Sequence, residues 1–175
     1  MKKYLLLTIC SLIILLSVGV VTPTNAEAAS HIEKAQLVSE CINILDDGSF
    51  FHITITESLP ETASCFSQSM LSTRSTQTKS GSKTVAYYNS DNEVVWEFTL
   101  YGTFQYIPGS SAGCVSSSYS INIYDSNWEN TYASASKSGN QAIGDATFKE
   151  KILFVTTQAR NVHVTLSCNA YGTLS

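Results

Sequence analysis

Charge is scarce in this chain: Asp, Glu, Lys and Arg supply 14% of its 175 residues, and acidic side chains outnumber basic ones. There is no basic stripe able to neutralise a row of phosphates, so nucleic acid is not an expected partner. The acidic balance argues equally against an electrostatic hold on anionic lipid. Long helical patterns of Leu, Ala, Glu and Lys are missing, and with them the crossover helices that a parallel α/β sheet requires. No cysteines form a C-x-x-C pair and no histidine stands three to five residues from another, so the usual frames for a bound metal are absent. A Gly-x-Ser-x-Gly elbow, the tight turn that presents an activated serine, does not occur either.

What is present begins with an export pattern. Lys2 and Lys3 precede a charge-free, mostly apolar stretch from Leu5 to Val21, and small and polar residues follow through Ala28. The lysines would hold the start at the cytoplasmic face, the apolar run would enter the bilayer, and Ala26-Glu27-Ala28 would suit a signal peptidase. Residues 1–28 are therefore expected to be a signal peptide, cleaved after Ala28 or Ala26. A retained anchor is the alternative, since about 17 apolar residues is the lower edge of what spans a bilayer. Cys10 lies inside the apolar run behind Thr8 and Ile9, which does not fit a lipidated cysteine. Losing Lys2, Lys3 and Glu27 takes the 10 basic and 14 acidic side chains to 8 and 13, a net charge of −5. The remaining 29–175 suits one domain with its own core. Ser, Thr, Asn and Gly replace charge on its surface, and strand-favouring Val, Ile, Thr, Tyr, Phe and Trp are plentiful.

Cys41, Cys65, Cys114 and Cys168 follow the leader. An even number in an exported chain reads as two disulfides, with three possible connectivities. The pairing expected is Cys41 with Cys65 and Cys114 with Cys168, each bridge stabilising the fold by roughly 3–4 kcal/mol in the loop-entropy model. A Cys/His nucleophile would need a thiol kept reduced outside the cell.

Along the chain, residues 29–57 read as an N-terminal segment and a hairpin. Asp46-Asp47-Gly48 is the turn, and Phe51, Ile53 and Ile55 alternate with His52, Thr54 and Thr56. A helix over 30–45 competes, from the Ser30-x-x-Glu33 capping box and the spacing of Ile32, Ala35, Val38, Ile42 and Leu45; the expectation is at most a short helical turn before a strand. Residues 58–82, rich in Ser and Thr, are expected to be a long surface connection. Residues 83–175 carry the main strands. Thr84–Tyr88 leads through the turn Asn89–Asn92 into a long run whose even positions, Trp96, Phe98, Phe104 and Tyr106 among them, form a core face. Gly102 is where a bend or bulge would let that run pass from one sheet to another. Val115, Tyr119, Ile121 and Ile123 read as a half-buried strand. Strands near 127–135 and 141–150 flank the turn Ser136–Asn140, and the last strand points Val162, Val164, Leu166 and Cys168 inward. The expected fold is all-β: an antiparallel sandwich, Ig-like in architecture, of about seven or eight strands.

Several constellations have a plainer reading beside the chemical one. Leu59-Pro60-Glu61-Thr62-Ala63 has the form of a sortase signal, but more than a hundred residues follow it, so a loop is expected. Asn89-x-Asp91-x-Glu93 could hold calcium, yet such turns also form because Asn and Asp cap their own backbone. No metal and no cofactor are therefore expected. His31, His52 and His163 are scattered, so a hydrolase triad has no sequence support. Exposed rings could stack on sugars; Tyr101, one of Tyr87 and Tyr88, and Trp128 are the candidates.

A resemblance runs through most of the exported part. It is carried by Lys79-Ser80-Gly81-Ser82-Lys83-Thr84 with Tyr87-Tyr88-Asn89, by Trp96-x-Phe98-x-Leu100-x-Gly102-Thr103-Phe104, by Cys114 and by Ser134-Ala135-Ser136-Lys137-Ser138-Gly139-Asn140. Val164-Thr165-Leu166-Ser167-Cys168-x-x-x-Gly172-Thr173-Leu174-Ser175 and the Asp47-Gly48-Ser49-Phe50 hairpin add to it. In these segments the chain resembles an uncharacterised family of small secreted β proteins of Gram-positive Firmicutes, a domain of unknown function. The resemblance implies an exported β domain and a Cys114–Cys168 bridge, because the matching segments carry that pair; Cys41 and Cys65 have no counterpart in the pattern. Together these readings point to a secreted, non-enzymatic binding module of no assigned specific role, at the cell surface or in the medium and free of the membrane once its leader is cleaved. Its partner would be a surface protein or a glycan; a cell-wall or host-glycan binder using its exposed aromatic rings is the first alternative. A cryptic hydrolase is the alternative from a different class.

Overall fold

Hydrophobic alternation of period two dominates the chain, and it resolves into strands with no helix among the described residues. The structure, a computed structural model, describes residues 35–59, 75–153 and 155–175. Among these residues eight antiparallel strands occur: β1 (Ala35–Ile44), β2 (Phe50–Ser58), β3 (Gln77–Tyr88), β4 (Val94–Ile107), β5 (Ser111–Ile123), β6 (Trp128–Ser138), β7 (Gln141–Ile152) and β8 (Val155–Ser167). They make a five-stranded sheet in the order β1-β2-β3-β4-β5 and a three-stranded sheet in the order β6-β7-β8. Every hydrogen-bonded neighbour is also a neighbour in sequence. Each sheet is thus a meander, without the Greek-key crossing that defines immunoglobulin topology.

Turn chemistry sets the hairpins. At the β1–β2 turn, Leu45 N–H donates to the Ser49 carbonyl (2.8 Å) and Gly48 N–H to the Leu45 carbonyl (3.0 Å). Gly48 has φ +81°, the left-handed region in which glycine carries no Cβ penalty. At the β3–β4 turn, Asn89 Oδ1 accepts the amides of Asp91 (3.0 Å) and Glu93 (2.9 Å). Asn89, Asp91 and Glu93 therefore build a turn held by its own backbone.

The two sheets contribute to one hydrophobic cluster. Trp96, Phe98, Leu100 and Phe104 of β4 are fully buried with Phe148 of β7 and Leu166 of β8. The Trp96 and Phe148 rings stack with centroids 3.9 Å apart and planes 5° from parallel, and Tyr87, Trp96 and Trp128 form a triangle, with Tyr87 5.3 Å from Trp96 and 5.4 Å from Trp128. Aromatic pairs of this kind contribute about 0.5–1.5 kcal/mol each beyond the area they bury.

The structure decides four points. First, residues 35–44 form the strand expected before the turn and not the competing helix, because they extend the hairpin opposite β2; residues 30–34 lie outside the described part. Much of 75–82 belongs to β3, so the connection is shorter than its composition implied. The strand lacks apolar alternation because Lys79 and Lys83 occupy inward positions, where Lys79 pairs with Glu57 and Lys83 Nζ donates to the Thr165 carbonyl at 3.0 Å. Third, β4 stays in one sheet throughout, and the irregularity falls between Thr103 and Phe104. Gly102 instead makes room, since a Cβ there would meet the Phe104 ring at 2.8 Å and Ala142 at 3.2 Å. Finally, the expected β5 face is less buried than its alternation implied: Ile121 packs on the core and the Tyr119 ring stacks on Phe98 at 5.9 Å, yet Tyr119, Val115 and Ile123 are all exposed along the sheet edge.

Candidate functional site

The outer face of the five-stranded sheet is an ordered polar surface, and it follows from strand parity. Opposite each buried residue of β4 stand Glu97, Thr99, Tyr101, Thr103 and Gln105 on the other face. Register then places hydroxyls side by side across four strands. Thr54, Thr84, Thr99 and Ser120 form one row; Thr56, Ser82, Tyr101 and Ser118 the next; Ser58, Ser80, Thr103 and Ser116 the third. Thr84 and Thr99 hydroxyls lie 2.9 Å apart, Thr56 and Ser82 2.8 Å, Ser80 and Thr103 3.2 Å, and Tyr101 reaches Ser120 Oγ at 3.2 Å. No ionisable carboxylate, amine or guanidine occurs in these rows across β2 to β5. Glu40 of β1 continues the first row beside Thr54, and the next row along holds Ile42, His52, Ala86, Glu97 and Asn122; beyond it come Ile44, Phe50, Tyr88 and Val94, in which the Phe50 and Tyr88 rings stack 4.7 Å apart and 4° from parallel.

The sequence-derived ring candidates separate on this geometry. Tyr101 is 44% exposed at the centre of the middle row, and Tyr88 is half-buried in the apolar row. Tyr87 (4% exposed) and Trp128 (6%) belong to the core. Tyr87 opposes Trp96 and shares its inward face; the register shift between Tyr87 and Tyr88 leaves Tyr88 as the outer member of the pair. Trp128 opens β6 and turns inward onto Tyr87 and Trp96.

A second concavity, of about 230 Å³, lies among the hairpin turns at one end, with Asp47, Asp125 and Glu150 on its rim and Tyr87 and Trp128 in its wall. Arg160 partly neutralises it, holding Asp47 Oδ2 at 2.9 Å and lying 5.6 Å over the Tyr87 ring. Hydrogen bonds from the Ser49 hydroxyl and amide, with Arg160 nearby, hold the Asp47 carboxyl below its ordinary range.

Among the described residues two histidine–carboxylate contacts occur, both on outward surfaces. His52 Nε2 lies 2.6 Å from Glu40 Oε1, and His163 Nδ1 2.7 Å from Asp145 Oδ1. Ser134 opposes Asp145 from the other side. That order, Ser134–Asp145–His163, puts the carboxylate between hydroxyl and imidazole, whereas a serine nucleophile needs the imidazole beside it. Among the described residues no three His, Cys, Asp or Glu side chains converge as metal ligands.

The cysteines also depart from expectation. Cys114 and Cys168 are free thiols in this structure, so the expected bridge between them is not formed. Both flank one turn: Cys114 N–H donates to the Gly139 carbonyl (2.8 Å) and Cys168 N–H to the Asn140 carbonyl (3.1 Å). Backbone bonds hold these segments together without the sulfurs meeting. Burial pushes both thiols up from their ordinary pKa. Cys41 is free and exposed on β1; its expected partner Cys65 lies outside the described residues, as do residues 1–28, His31 and positions 60–63 of the sortase-like stretch. No family model, curated protein or solved structure matches this chain.

Proposed function

We propose that this chain is a secreted, non-enzymatic binding module whose two sheets form a β-sandwich, and that it binds an uncharged glycan of a cell wall or a host surface. The observation that carries the reading is Tyr101, exposed amid rows of hydroxyls free of formal charge. A sugar ring presents an apolar face and a fringe of hydroxyls. An exposed phenol ring bordered by side-chain hydroxyls offers the matching partners, one apolar and the others able both to donate and to accept. The nearest carboxylates on this face, Glu40 beside Thr54 and Glu97 in the adjoining row, disfavour phosphate-rich polymers and leave neutral polysaccharide as the ligand class.

Secretion rests on the leader-like residues 1–28, and the kinship proposed with secreted Firmicutes proteins rests on the quoted sequence segments. Co-sedimentation with purified Gram-positive cell walls and with neutral host-type glycans tests the binding. Retention that resists moderate salt, and that Tyr101→Ala weakens about tenfold without altering the far-UV spectrum, is the expected result. Equal retention of Tyr101→Ala and the natural chain overturns this face as the site. Tryptophan emission is a poor reporter here, since both indoles are buried.

A further inference from the structure

Among the described residues β1 ends the five-stranded sheet, and all ten of its residues are exposed. Its sequence, AQLVSECINI, carries one charge, Glu40, and neither Lys nor Pro, the residues that usually guard a free edge. Ile42 and Ile44 are 57% and 77% exposed. Parts of two other edges are covered. Ser167 at the end of β8 exchanges backbone bonds with Ser175 (2.8 and 3.0 Å), while β5 meets the β6–β7 turn through Cys114 N–H and Lys137 Nζ, the latter on the Val115 carbonyl at 2.6 Å.

We propose that β1 is a self-association edge, through which two copies pair β1 against β1 about a two-fold axis at Cys41 and join their five-stranded sheets into one. Hydrogen-bond alternation supports this register. Leu45 bonds Ser49 across the turn, and the uninterrupted register from Ser39 to Ile44 then directs the amides of Asn43 and Cys41 toward β2. Those of Glu40, Ile42 and Ile44 face the free edge. With Cys41 on the axis, Glu40 of each copy opposes Ile42 of the other in a hydrogen-bonded pair, and Ser39 opposes Asn43. The lone carboxylate never faces itself, polar residues meet on the inner side, and the pairing is the same read from either copy, as a closed two-fold interface requires. An edge so nearly free of charge fits a second copy better than a charged partner, and the joined sheet would set two hydroxyl faces side by side. The inference stands apart from glycan binding.

The two Cys41 residues would form a directly opposed, non-hydrogen-bonded pair with Cα atoms about 4.5 Å apart, inside the range of about 4.4–6.8 Å a disulfide spans. This provides a probe of register. Sedimentation velocity on the purified full chain, over a roughly hundredfold concentration range, is expected to show a monomer–dimer equilibrium. Ile42→Pro, which removes a donor facing the free edge, and Ile42→Lys, which places a charge there, are expected to sediment as monomers with unchanged far-UV spectra. A natural chain that stays monomeric throughout, or a dimer that survives both substitutions, overturns the proposal. In a Cys65→Ser chain, oxidised glutathione should convert the two Cys41 thiols to one interchain disulfide with release of two reduced glutathione molecules. The non-reducing gel should show a covalent dimer that Cys41→Ser abolishes; a sedimenting dimer without that band overturns the Cys41-centred register.

Discussion

Gly144 of β7 gives a test of face-to-face packing in which the sign of the effect decides the outcome. A methyl group at Gly144 would sit 2.9 Å from the Phe98 ring and 3.0 Å from Leu100 Cδ1, both in side chains with no exposed surface. Overpacking of this kind costs about 1–3 kcal/mol. In a strand open to solvent the same change would stabilise by about 0.5–1 kcal/mol, through the lower entropy of the unfolded chain. Gly144→Ala is therefore expected to lower Tm by about 3–15 °C, taking roughly 3–5 °C per kcal/mol for a domain of this size. Urea titration followed by the emission of Trp96 and Trp128 should show a lower midpoint at unchanged slope. Gly113→Ala is the control, because its nearest neighbour is the Gly139 carbonyl oxygen at 3.9 Å; it should be neutral or mildly stabilising. Adding Phe98→Leu to Gly144→Ala should recover part of the loss as a coupling energy of about 0.5–3 kcal/mol. A midpoint for Gly144→Ala at or above that of the natural chain would refute sheet-to-sheet contact at this point.

Asp47 and Cys168 give two further outcomes. Asp47 has a folded-state pKa below its ordinary value of 3.8, through the Ser49 hydroxyl and amide and Arg160. Its contribution to stability is therefore present above that ordinary value and lost as pH falls through the lowered one. Asp47→Asn should flatten this acid limb in stability measured against pH, and an unchanged limb would count against the contact. Cys168 is buried with a raised thiol pKa, so alkylation mapped by mass spectrometry should modify exposed Cys41 in the native protein and reach Cys168 only in urea. Complete protection of Cys168 in unreduced, urea-unfolded protein would show a disulfide in place of the free thiol.

How far the fold was legible depended on whether a side chain's direction could be assigned within its own strand. β4 could be read in this way: Trp96, Phe98, Leu100 and Phe104 alternate with Thr99, Tyr101 and Thr103, and both faces follow. The Asp-Asp-Gly and Asn-Ser-Asp-Asn turns also carried their own chemistry. Tyr87 and Tyr88 could not be told apart, since adjacent tyrosines carry no parity until the shift opposite β4 fixes it. Trp128 had no alternating run before it, and only packing on Tyr87 shows that it faces inward. The start of β3 escaped notice because its inward lysines use a carboxylate and a carbonyl in place of apolar burial. The hydroxyl rows were present in the sequence as the polar halves of separate strands. Their alignment is a property of register, which no single strand reveals.

Those rows invite a structural explanation that competes with binding, because cross-strand hydroxyl pairs stabilise sheets by about 0.2–1 kcal/mol each. Replacing Thr84 and Thr99 together by Val separates the two. Valine keeps the branched shape and strand preference of threonine and removes the hydroxyl pair that now stands 2.9 Å apart. Because the hydroxyls are half-buried on an outward face, water replaces most of what they lose when the sheet unfolds, and removing both partners leaves no polar group unpaired. The expected result is a stability change within about 1 kcal/mol in either direction, with a several-fold loss of glycan retention, since valine can neither donate to nor accept from a sugar hydroxyl. Undiminished retention beside a clear loss of stability would make the rows a device of the sheet, and would leave Tyr101 to account for binding alone.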